Sequence, residues 1–118
     1  MDKLEKIFEL QKKFDDELAE KRGLTCITVD KWLQMQTLAM LSELAEFLNE
    51  LNFKWWKNPA AADEEKIKGE LVDILHFFAA MCIKAGMDAD ELFERYVKKN
   101  VENFDRQRGL SEKKGYEL

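Results

Sequence analysis

Residues 70–83 read ELVDILHFFAAMCI, and no other stretch limits the possible folds of this chain as strongly. Between Leu71 and Ile83 only Asp73 and His76, the single histidine, interrupt the apolar side chains. As a helix, the stretch is apolar around nearly its whole circumference, and such helices are buried. Ionised carboxylates are almost never fully buried without a partner, because desolvating an unpaired charge costs many kcal/mol. Any fold must therefore supply something that neutralises Glu70 and Asp73.

The rest of the chain reads as further helices. Leu4, Ile7, Phe8, Leu10, Phe14 and Leu18 follow helical spacing and predict an amphipathic helix over residues 2–22, ending near Gly23. Thr28 or Asp30 can cap a second helix running to about Asn52, and Asn58-Pro59 marks a turn after it. Asp63 caps a third helix that ends before Gly86. Asp88 and Glu91 have capping-box spacing and open a fourth helix lasting to about Gln107, with Gly109 beyond it. Five glycines and one proline leave little turn material for a many-stranded sheet. The expectation is an all-α, four-helix bundle-type fold, a single domain over 1–118 with a polar tail at about 109–118.

Composition removes several function classes. Apolar residues at 46% and charged residues at 36% exclude a disordered or collagen-like chain. A net charge of −5 argues against a nucleic-acid backbone as the main partner. The start, MDKLEKIFEL, is amphipathic and acidic, unlike a signal or transit peptide, and the longest apolar run, FFAAMCI, falls far short of a membrane span. Cys26 and Cys82 lack CxxC spacing and read as free, buried thiols in a reducing compartment. A soluble, cytoplasmic protein with no membrane or nucleic-acid partner is expected.

The second helix repeats the problem of the third. At 100° per residue, Glu43, Glu46, Asn49 and Glu50 fall on one arc, while Leu38, Leu41, Leu44, Phe47, Leu48 and Leu51 fill the remainder. Such a helix is expected to be buried on two sides with its acids facing a cleft. Glu43 and Glu46 are three apart, as are Glu70 and Asp73, so each pair projects from one helical face. Four facing acids repel unless some take up protons or a cation intervenes. Mg²⁺ prefers carboxylate and water oxygens and binds where substrate phosphates complete its shell. A di-iron centre would want Glu-x-x-His on two helices, and here only Asp73 precedes a histidine by three.

These residues resemble a known family. SELAE, 23 intervening residues and ELVD are similar to the ExxE…ExxD signature of the all-α nucleoside triphosphate pyrophosphatases, the MazG-like superfamily. Within it the chain most resembles the dimeric dUTP pyrophosphatases, through LQKKFD, LSELAEFLNE, FKWWK, ELVDILHF and YVKKNVENFDRQ. The resemblance implies Mg²⁺, with Mn²⁺ able to substitute, held by Glu43, Glu46, Glu70 and Asp73, and hydrolysis of dUTP to dUMP and pyrophosphate. It gives the catalytic role on the attacking water to Glu46; Glu50, one turn further along the same arc, reads either as an outer ligand or as an exposed acid. It assigns Gln11, Asp15, Trp56 and His76 to the base and sugar, with Phe14 completing the first-helix motif, whereas Trp55 reads as core packing. Lys54, Lys99, Asn103, Arg106 and Tyr116 are the implied phosphate contacts. Tyr96, Lys99, Asn103 and Arg106 also share one helical stripe by spacing. The family's RQxxGY ending is altered here to RQRGLSEKKGY. A homodimer or dimer of dimers is implied. A MazG-like enzyme clearing dCTP or non-standard nucleotides with the same acids is the neighbouring reading. A non-catalytic helical interaction module with a structural cation is the reading from another class.

Overall fold

The computed structural model describes residues 1–117. Its elements are α1 (Lys3–Arg22), α2 (Val29–Asn49), α3 (Glu64–Lys84) and α4 (Ala89–Gln107), with no strand among the described residues. The fold is all-α, as the periodicity predicts.

Each helix starts on a side-chain cap that satisfies amide groups with no partner inside the helix. Asp2 accepts from Glu5 N at 2.8 Å, Thr28 from Lys31 N at 3.1 Å, and Asp88 from Glu91 N at 2.8 Å. Asp63 accepts from both Glu65 N and Lys66 N. Gly23 closes α1 in the left-handed region at φ 68°, and Leu24 N donates to Ala19 O at 2.8 Å. Helix α2 stops at Asn49, short of the expected Asn52, because Asn52 adopts φ 53° and no right-handed helix passes through that conformation.

Within the span expected as a single domain, the described residues form two compact units, one from Met1 to Gly86 and one from Met87 onward. In the first unit α2 packs along α3, and α1 packs on α3 less extensively. Phe8, Trp32, Ala79, Ala80 and Cys82 form its buried core. Alanines at 79 and 80 leave α3 without bulk there, so its neighbours can approach closely. Cys82 is buried, which pushes its thiol up, as expected. Cys26, expected buried, is exposed, because it lies in the turn between α1 and α2 rather than on a helix face.

Burial of α2 and α3 on two sides is not achieved within one chain. Leu38 is 67% exposed, Val72 54% and Leu71 49%, and Leu41, Leu44, Leu48, Leu75 and Phe78 are also exposed. Helices this short cannot cover each other's full apolar circumference when each meets its neighbours along one stripe. Trp55, read as core, is 87% exposed, since a loop rather than a helix carries it.

The second unit holds α4 and the residues after it. Glu102 accepts from Arg106 Nε at 3.1 Å and from Ser111 Oγ at 2.6 Å, which folds the tail back onto α4. These two partners, Ser111 first, hold the Glu102 carboxyl below its ordinary range. The described part of the polar tail carries no helix, as its composition predicts.

Candidate active site

Glu43 and Glu46 leave α2 on one face, one turn apart, and Glu70 leaves α3 opposite them. One carboxylate oxygen from each of the three lies within 4.8 Å of the others. Asp73, the fourth acid expected, is one turn beyond Glu70. It faces the adjacent cavity rather than joining the converging trio, though its charge still acts on Glu43. Glu43 and Glu70 are half-buried and Glu46 is exposed.

The trio is electrostatically unrelieved. Oε2 of Glu43 and Oε2 of Glu70 are buried with no hydrogen-bond partner among the described residues. The Glu43 carboxyl is pushed up to about 7, first by a hydrogen bond with Glu70, then by burial and by the charges of Glu46, Glu70 and Asp73. That hydrogen bond needs a proton on one of the two. With both ionised, two acceptors face each other and both Oε2 atoms lack a donor. An all-oxygen donor set with two orphaned carboxylate oxygens fits a hard divalent cation such as Mg²⁺.

Next to the acids, a cavity of about 370 Å³ opens between the three helices of the first unit, within the size range of small-molecule sites. Helix α1 contributes Gln11, Phe14, Asp15 and Leu18, α2 contributes Gln36 and Glu43, and α3 contributes Asp73, His76 and Phe77. Glu43 therefore belongs to both the acid cluster and the cavity wall.

The polar groups on the α1 side are paired. Gln11 Nε2 donates to Asp15 Oδ1 at 2.9 Å, and Gln11 Oε1 lies 2.6 Å from His76 Nδ1. Because the Asp15 carboxylate fixes the amide with its NH₂ toward α1, the oxygen faces the histidine, and Nδ1 must carry the proton. In the neutral ring Nε2 is then an acceptor. Burial pushes the Asp15 carboxyl up, opposed by its bond from Gln11.

Three of the four expected base and sugar residues, Gln11, Asp15 and His76, thus meet in one cavity with two of the expected metal ligands. Trp56 does not line that cavity. It is 61% exposed on the loop after α2, edge-on to Trp55 at 5.3 Å and to Phe53 at 6.5 Å. Lys54 lies on the same loop with Nζ 5.9 Å from the Phe53 ring centre. Lys99, Asn103, Arg106 and Tyr116 are in the second unit, where the Arg106 guanidinium stands over the Tyr116 ring at 5.4 Å.

Gln36, buried on the cavity wall, was not singled out by sequence reasoning. A signal was present: it precedes Glu43 by seven residues, two helical turns, and so extends the polar arc of α2 toward its start.

Residues 3–87 match the model of the dUTPase family. The chain belongs to that family. The match ends where the first compact unit ends, so the acid cluster and cavity of this dUTPase-family chain lie wholly inside it. The chain is also similar to the dCTP pyrophosphatase of Enterobacteria phage T4, at 51% identity over 38% of this chain and 26% of that protein. A dCTP pyrophosphatase of Enterobacteria phage LZ5 is 42% identical over 50% of this chain and 34% of its own length. The chain spans between about a quarter and a third of the length of these curated relatives. No solved structure matches it.

Proposed function

We propose that this chain is a Mg²⁺-dependent nucleoside triphosphate pyrophosphatase that hydrolyses dUTP to dUMP and pyrophosphate. The observation that carries this reading is the junction at Glu43, where unrelieved carboxylates meet a ligand-sized cavity with ordered polar groups. Glu43, Glu46, Glu70 and Asp73 would hold Mg²⁺ or Mn²⁺, which when bound supplies charge neutralisation for the triphosphate. Glu46, the exposed member of the trio, orients the attacking water and takes its proton. The water oxygen bonds to phosphorus, the link between the α- and β-phosphoryl groups breaks, and pyrophosphate leaves.

Within this proposal Gln11, Asp15 and His76 read the base and sugar, and Trp56 offers a stacking face. Lys54, Lys99, Asn103, Arg106 and Tyr116 hold the phosphates, Arg as a fork and Lys as a point charge. The exposed leucines of α2 and α3 support a homodimer or dimer of dimers, which sedimentation at micromolar concentration reads directly; a fully active monomer overturns it. No described helix is long and apolar enough to cross a membrane. A cytoplasmic location is part of the proposal and is read by cell fractionation.

A second substrate, dCTP, is favoured by the names of both phage relatives. Pyrophosphate release from a nucleotide panel with and without Mg²⁺ tests the whole reading. Faster turnover of dUTP than dCTP supports uracil selection, and the reverse order replaces it with cytosine. Mg²⁺-dependent stability without turnover of any nucleotide leaves a non-catalytic module with a structural cation.

A further inference from the structure

The loop that follows α2 is held by one side chain. Asn52 Nδ2 donates to Ala60 O at 2.9 Å, and Asn52 Oδ1 accepts from Ala60 N at 2.9 Å. Both ends of the carboxamide are thus spent on a single peptide residue eight positions away. Asn52 sits at φ 53°, a region that asparagine tolerates better than most side chains. Between the clamped ends, Lys57 N closes a turn onto Lys54 O at 3.0 Å. Trp56 meets both Phe53 and Trp55 edge-to-face inside the same loop. An aromatic loop with this much exposed surface would not keep one shape on ring contacts alone, since ordering each residue costs backbone entropy.

We infer that Asn52 is a positioning residue, which clamps the 53–59 loop so that Lys54 and Trp56 are presented to the nucleotide in a preformed arrangement. The inference rests on the proposed pyrophosphatase reading for its substrate and on the two hydrogen bonds for its mechanics. Asn52 touches no reacting group. It acts by removing the ordering cost that a free loop would incur on each binding event.

The decisive variant is Asn52→Gly, which keeps the positive φ accessible and removes the clamp, with Asn52→Asp as the comparison that does not share glycine's added backbone freedom. Native-state trypsin digestion reads the loop without reference to activity, because Lys54 and Lys57 lie inside it. Cleavage after these two lysines should accelerate about tenfold in the variant, since proteolysis follows the population of the locally open form. For the nucleotide that the parent hydrolyses, KM should rise about five- to tenfold with kcat close to the parent's, the pattern of lost binding rather than lost chemistry. Asn52→Asp keeps the acceptor for Ala60 N and should fall between the two. Unchanged cleavage in Asn52→Gly overturns the clamp. Faster cleavage with unchanged KM overturns the positioning role while the enzyme reading stands. A parent that hydrolyses neither dUTP nor dCTP, with cleavage still accelerated in the variant, overturns the enzyme reading and this role with it.

Discussion

On the α1 side of the cavity the polar groups satisfy one another, whereas on the α2–α3 side they do not. Asp15, Gln11 and His76 form a continuous hydrogen-bonded chain, each group holding the next in a defined orientation. Glu43, Glu46 and Glu70 converge, and among the described residues two of their oxygens are buried without a donor. A satisfied network is ready before any ligand arrives and lends orientation. A frustrated one costs stability until something neutralises it, and so lends affinity for a cation. The same cavity wall thus joins a preorganised hydrogen-bonded chain to an unrelieved cluster of acids.

The largest expected effect falls on the frustrated side. Glu46→Gln should lower turnover by about 10³-fold, in the range that loss of a general base costs. The fold should persist, because Glu46 is exposed and circular dichroism should be unchanged. Near-normal turnover would show that the acids are not the catalytic site.

Cation binding comes next. If Mg²⁺ binds the native cluster and not the unfolded chain, as proposed, saturating it at about 100 times Kd should stabilise the protein by about 2.7 kcal/mol and raise Tm by several degrees. EDTA should reverse the shift, and Glu43→Gln should diminish it. A Tm indifferent to Mg²⁺ would break the contrast between the two sides.

On the paired side the effect is smaller. His76→Ala should change the ratio of kcat/KM for dUTP and dCTP by about tenfold, roughly the value of one buried hydrogen bond with its partner left unpaired. Lys99→Ala should lower both values together, because a phosphate contact does not see the base. An unchanged ratio in His76→Ala would remove the reader role.

The smallest effect is a pH dependence of the metal-free protein. Glu43 has a folded pKa of about 7 against an ordinary 4.5, so between these values the folded state binds more protons than the unfolded one. Stability from this group is present at low pH and is lost as pH rises through about 7. Raised Asp15 acts in the same direction. Tm in EDTA should therefore fall between pH 5 and pH 8, and the slope should flatten in Glu43→Gln. A Tm rising over that window would contradict the cluster's electrostatics.

Much of this was legible along the chain. Caps at Asp63 and Asp88 and the glycine at 23 fix where helices begin and end, because capping is settled by a few neighbouring residues. The two i, i+3 acid pairs are equally local, since helical pitch alone puts each pair on one face. Resemblance carried Gln11, Asp15 and His76 into the site, and the cavity unites them. Gln36 shares the polar arc of α2 by its seven-residue spacing to Glu43, but only the packing of α1 and α3 against that arc puts it on a cavity wall.

The sequence by itself determined four helices, their faces and the need for a partner to the acids of α2 and α3, all consequences of a 3.6-residue period and of the cost of burying charge. Only the tertiary structure decided that three acids converge while Asp73 turns to the cavity, and that His76 meets Gln11 across 65 residues. It also decided that Cys26 and Trp55 stand in solvent and that the leucines of α2 and α3 stay uncovered in one chain. Periodicity fixes where a side chain lies around its own helix. The distance to a facing helix depends on how the two pack, and there small residues such as Ala79 and Ala80 set the approach.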